Sequence, residues 1–176
     1  IPDDILLKPG RLTDAEFETH VARSANDRAK ASEMEHAIRS HIRMHMGEDP
    51  VRFRRLSERL NDILKSLGEQ WDQLIAQLQN IINELRSGGG NDDTMPADLP
   101  EHCAPFLRTV LEVVCQGETP SPAELVRLRD VTIELVEFLV QELQSNRDIW
   151  SAHKRAAQDA LNGHLFDFLM RVRPPL

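Results

Sequence analysis

Between Phe53 and Leu85 the apolar residues recur at intervals of three and four. Phe53, Leu56, Leu60, Ile63, Leu64 and Leu67 form one series. Trp71, Leu74, Ile75, Leu78, Ile81, Ile82 and Leu85 form the next. This spacing sets each series along one face of an α-helix, whereas a half-buried strand would alternate every second residue. Gly68 falls between the two series as a stop or a kink. Together they predict a long antiparallel hairpin or one kinked helix.

The remaining punctuation is also helical. Thr13-Asp14-Ala15-Glu16 reads as a capping box, in which a hydroxyl accepts a backbone N–H and a glutamate reaches back. A helix is expected from there to about Met46, with a break near Ser24 to Asp27 and a stop at Gly47. Asp49-Pro50 is a second start, since aspartate caps and proline at the first helical position has no N–H to lose. Ala104 to Cys115 is a third apolar helix, ended by Gly117 and Pro120. Ser121-Pro122-Ala123-Glu124 opens a fourth run that lasts to Asn146. Asp148 is read as the cap of the last helix, which offers Trp150, Ala157, Leu161, Leu165, Phe168, Leu169 and Val172 before Pro174 and Pro175.

The fold class expected is all-α, a helical bundle of about five to six helices built around the long hairpin. Its composition agrees: aromatic residues make up only 5% and tyrosine is absent, so the mixture that favours sheet is thin. Three glycines and two acids in Ser87-Gly88-Gly89-Gly90-Asn91-Asp92-Asp93 mark a linker. The organisation is then a lead-in over 1–12, a first helical half over 13–86, a linker over 87–100 and a second half over 101–176. The second half is expected to pack on the first, because the amphipathic helices of each alone bury little.

The chain shows neither a basic leader before an apolar stretch nor ~18 consecutive apolar residues, so no signal peptide and no membrane span are expected. Cys103 and Cys115 are twelve residues apart in one helix, roughly 18 Å at helical rise, which exceeds disulfide reach. Two buried free thiols in a cytoplasmic protein are expected.

A net charge of −8 argues against wholesale nucleic-acid binding. The charge is uneven, however. From His36 to Arg59 six arginines stand against Glu48, Asp49 and Glu58, a local excess of three. Such a strip is either a solvated helix face with internal ion pairs or a surface for phosphate or acidic partners.

No complete catalytic constellation appears. His41 and His45 share a helix face, as metal-binding pairs do, with Glu48 a conceivable third ligand. Arg39 and Arg43 beside them would repel a divalent ion, so hydrogen-bonded surface histidines are the competing reading. Neighbouring acids such as Glu33 and Glu35 point apart and do not form an acid–base dyad. Neither cysteine carries the local signature of a nucleophile, and the glycine run precedes acids rather than cradling phosphate. No catalytic, cofactor-binding or metal-ligating residue is assigned.

One polar string is more specific than core packing requires. Ala31-Ser32-Glu33-Met34-Glu35-His36-Ala37-Ile38-Arg39, His41-Ile42-Arg43, Glu48-Asp49-Pro50 and Leu56-Ser57-Glu58-Arg59-Leu60 resemble the C-terminal region of the restriction (R) subunit of type I restriction–modification enzymes. Glu69-Gln70-Trp71-Asp72-Gln73-Leu74 extends the likeness, and Pro105-Phe106 with Asp148-Ile149-Trp150 continues it loosely into the second half. The resemblance implies a parent that is an ATP-dependent DNA translocase and endonuclease, using ATP and Mg in domains whose motifs this chain lacks. It implies that the chain is a non-catalytic, cytoplasmic C-terminal domain with no cofactor of its own. Its partners would be the methyltransferase and specificity subunits, the parent's helicase domains and, through them, DNA. The residues expected at the interface are Glu33, Glu35, His36, Arg39, His41, Arg43, Asp49, Arg52, Arg55 and Arg59. Two alternatives stand beside this: direct contact with the DNA backbone through the basic strip, and an independent helical scaffold or dimer formed through the series at 53–85.

Overall fold

The computed structural model describes residues 15–87, 95–151 and 153–172. The lead-in, the Thr13 cap, the glycine run at 88–90 with the acids that follow it, and the closing prolines lie outside them. Among the described residues every regular element is helical. The α-helices are α1 (Ala15–Ala22), α2 (Asp27–His45), α3 (Pro50–Leu67), α4 (Trp71–Arg86), α5 (Ala104–Cys115), α6 (Pro122–Ser145) and α7 (Arg155–Val172). The all-α class read from periodicity is what the chain adopts. Among the described residues no helix is long and apolar enough to cross a membrane. The chain divides into two compact units, the first ending at Thr94 and the second beginning at Met95.

The first unit is built on α2, α3 and α4, which pack against one another in all three pairings, with α1 laid on α2. Asn26 caps α2, its side chain accepting the Ala29 N–H at 2.8 Å, so the expected break near Ser24 to Asp27 is real. Asp49 caps α3 by accepting the Arg52 N–H at 3.1 Å, with Pro50 at the first helical position. Gly68 ends α3 at φ 51 and ψ −112, a combination that side chains resist, and its N–H donates to the Leu64 carbonyl. The hairpin reading at 53–85 therefore holds over the single kinked helix, and Arg59 of α3 reaches Glu84 of α4 at 2.7 Å across the pair. Met34, Ile38, Leu60, Leu78, Ile81 and Ile82 are fully buried at its centre. One continuous core takes in Phe17 and Val21 of α1 as well.

The second unit is thinner. Ser121 and Glu124 form the complete capping box expected at the start of α6. Its buried side chains are Cys103, Leu107, Thr132, Val136, Ile149, Leu161 and Phe168. The Thr132 hydroxyl, buried among them, donates to the Leu128 carbonyl one turn back. Phe138 and Phe168 stack at 5.2 Å between ring centres and join α6 to α7.

Two expectations require correction here. Asp148 does not cap the last helix: α7 begins at Arg155, and turns over Asn146 to Ser151 come before it. Ile149 is what the fold buries there, held by the Gln158 side-chain amide donating to its carbonyl at 2.7 Å. Trp150, assigned to the helix's apolar set, is 72% exposed in that turn. The thiols also differ from expectation. Both are free, but Cys103 is buried in a short 3₁₀ turn, Glu101–Cys103, whereas Cys115 at the end of α5 is only half-buried.

Candidate interaction face

The polar string at 33–59 lies on α2, on the corner after it and on the first half of α3, all within the first unit. Burial of one face of each helix against the core turns the charged residues outward. The structure then sorts the expected interface residues by what already holds them.

Several are engaged within the unit. Glu33 accepts the Ser24 hydroxyl at 2.7 Å and so ties α2 to the turn before it. Arg39 donates through Nε to Glu35 at 2.8 Å and through its terminal nitrogen to Asn61 of α3 at 2.9 Å. Arg59 is held by Glu84. Asp49 is buried and capping α3. Arg52 lies over the Phe53 ring, its guanidinium carbon 5.5 Å from the ring centre. Of these contacts Arg39–Asn61 and Arg59–Glu84 link one helix to another, the rest are local, and solvent exposure limits what each ion pair contributes.

A second group forms a cluster at the α2–α3 corner. The His41 and His45 rings are 4.3 Å apart, and the Phe53 ring lies 5.9 and 6.0 Å from them. Glu48 reaches His45 Nδ1 at 2.9 Å. Burial holds the His41 imidazole below its ordinary value; His45 and Arg52 push it the same way, and Glu48 opposes them. Glu48 is thus spent on His45 rather than offered as an independent ligand. Among the described residues no group of three or more His, Cys, Asp or Glu side chains is arranged to hold a metal ion.

The third group is unspent. His36, Arg43 and Arg55 are exposed, and among the described residues no ion pair or hydrogen bond engages them. Sequence reasoning named all three but could not separate them from Arg39 and Arg59. The partners that consume those two, Asn61 and Glu84, lie 22 and 25 residues away.

Sequence reasoning missed the exposed apolar side chains of two other helices. In the second unit Phe106, Val110 and Val113 follow one another along α5, and Phe106 and Val113 are exposed, the latter by 69%. On α7, Phe166, Leu169 and Met170 are exposed at i, i+3 and i+4. The signal was present: the apolar residues of each helix span more of its circumference than one neighbour covers. A shallow groove of about 340 Å³ lies where α5 ends and α6 begins, lined by Val114, Cys115, Thr119, Pro120, Arg127 and Leu128 among others.

Comparison of the chain with protein-family models, with curated proteins and with solved structures gives no match.

Proposed function

We propose that this chain is a non-catalytic assembly module, a C-terminal domain of the kind found in the R subunit of type I restriction–modification enzymes, docking a DNA motor on its methyltransferase core. The observation that carries the reading is the sorting of the polar string. Arg39 and Arg59 are consumed in joining α2 to α3 and α3 to α4, Glu35 in holding Arg39, and Asp49 in capping α3, which leaves Arg43 and Arg55, among the described residues, as exposed, unpaired cations on the same stretch of chain. Unpaired surface arginines suit recognition of a partner's carboxylates, because the guanidinium fork matches their geometry. The exposed apolar residues of α5 and α7 are a second candidate for contact with a partner, since an apolar patch rimmed by polar residues suits another protein.

The test is capture of the full chain by a reconstituted core of modification and specificity subunits. Binding is expected, and reversal of both charges, Arg43→Glu with Arg55→Glu, should weaken it by about tenfold, or ~1.4 kcal/mol. Absence of capture refutes the docking role. Unchanged affinity of the double variant removes the two arginines from it. A parallel titration of duplex DNA across salt checks the alternative of backbone contact, for which binding should fall steeply as salt rises.

A further inference from the structure

The corner between α2 and α3 gathers two imidazoles, a phenyl ring, a guanidinium and a carboxylate within thirteen residues, His41 to Phe53. His41 and His45 stand one helical turn apart at the end of α2, and Phe53 comes back against both from the first turn of α3. The chain between them is only Met46, Gly47, Glu48 and Asp49. The three rings thus pack together at this corner, where Phe53 is also part of the buried core and Asp49 caps α3.

We propose that this corner is a proton-sensitive latch, shut by the packing of the His41, His45 and Phe53 rings while His41 is neutral and loosened when His41 takes up a proton.

The charges around His41 explain the asymmetry. On its own helix it faces His45; from the turn, Glu48; from α3, Arg52. Among the described residues α4, also packed on α2, adds no charge to that set. Glu48 is the one nearby carboxylate that favours a proton on His41, and it is already bonded to His45 Nδ1. The other acid of the corner, Asp49, is buried and turned to the Arg52 amide. The Phe53 ring that would receive a second cation already carries the Arg52 guanidinium. The carbonyl end of α2 favours a cation weakly. Burial and two cationic neighbours outweigh it and hold His41 below its ordinary range.

The direction of the switch follows. In the open corner His41 regains water and an ordinary imidazole affinity, near ~6.5. The open form therefore binds a proton more readily than the closed one. Above that range neither binds it and the corner stays shut. As pH falls through ~6.5 toward the lower value of the closed form, proton uptake draws the equilibrium to the open form. The two-state element is then the Met46–Asp49 turn with the ring cluster beside it, and the ligand is the proton.

This inference stands apart from the docking role and is tested on the chain alone. Amide hydrogen exchange, corrected for intrinsic rates, is followed from about pH 7.5 to about pH 5, bracketing the imidazole range. Protection of the amides from His45 to Phe53 should fall several-fold on acidification, while that of α6 is unchanged. In His41→Gln the loss should vanish, and in His36→Gln, altered at an exposed histidine of the same helix, it should persist. Constant protection in the unmodified chain, or an undiminished fall in His41→Gln, overturns the proposal. Should His41→Gln fail to fold, the His41 and Phe53 ring resonances of the unmodified chain decide. They must shift together with one midpoint below ~6.5; a Phe53 resonance indifferent to His41 protonation overturns the latch.

Discussion

A side chain in this protein matters according to what surrounds it rather than what it is. Leu60 and Ile81 are fully buried in the first unit, and neither can be shortened without leaving a hole that the packed helices fill only in part. Leu60→Ala or Ile81→Ala is expected to lower stability by ~2–5 kcal/mol in denaturant unfolding. Asp49 shows the same dependence for a polar group. It is buried and its carboxylate satisfies the Arg52 N–H at the start of α3, so Asp49→Ala should cost about 1–2 kcal/mol. Asp49→Asn keeps an oxygen in place and should recover most of that loss. Arg43 and Arg55, by contrast, are exposed and form no ion pair or hydrogen bond among the described residues, and their replacement should leave unfolding within ~0.5 kcal/mol.

Helix boundaries here are set by local chemistry, which is why most were legible in the sequence. The caps at Asp49 and Ser121 and the stop at Gly68 need only a few neighbouring residues to act. At Gly68 the reason is backbone geometry alone: a methyl group would meet no atom within 4 Å, yet φ 51 with ψ −112 resists any side chain. Gly68→Ala should therefore cost ~1–3 kcal/mol without disturbing packing, measured as a lower unfolding midpoint with an unchanged slope. Asp148 misled because its signal was local and the outcome was not. The burial of Ile149 and the bond from Gln158, nine residues on, hold the chain in turns where a cap residue alone would start a helix. The interaction face was legible to the same extent. Its residues could be named from their order, but which are spent depends on Asn61 and Glu84, partners that only the folded hairpin brings near.

Across the whole molecule the two units differ in how much apolar surface they hide. The first has a continuous core contributed by four helices, and among the described residues the second buries seven side chains over a similar length of chain. Burial of apolar area is the main favourable contribution to folding. Amides of α2 and α4 are therefore expected to exchange more slowly than those of α5 and α7. The sparse unit is also the one that leaves Val113, Phe166 and Met170 in water, which bears on what those residues are for. If they serve folding, replacing them by polar side chains destabilises the chain; if they serve assembly, it does not. Their exposure predicts a small cost in folding, because a side chain already in water loses little by becoming polar. Val113→Lys combined with Phe166→Ser should leave the unfolding free energy within about 1 kcal/mol of the parent chain while reducing capture by a partner. A loss of several kcal/mol in the same unfolding measurement would assign these side chains to the fold instead, and would leave Arg43 and Arg55 as the residues on which the docking role rests.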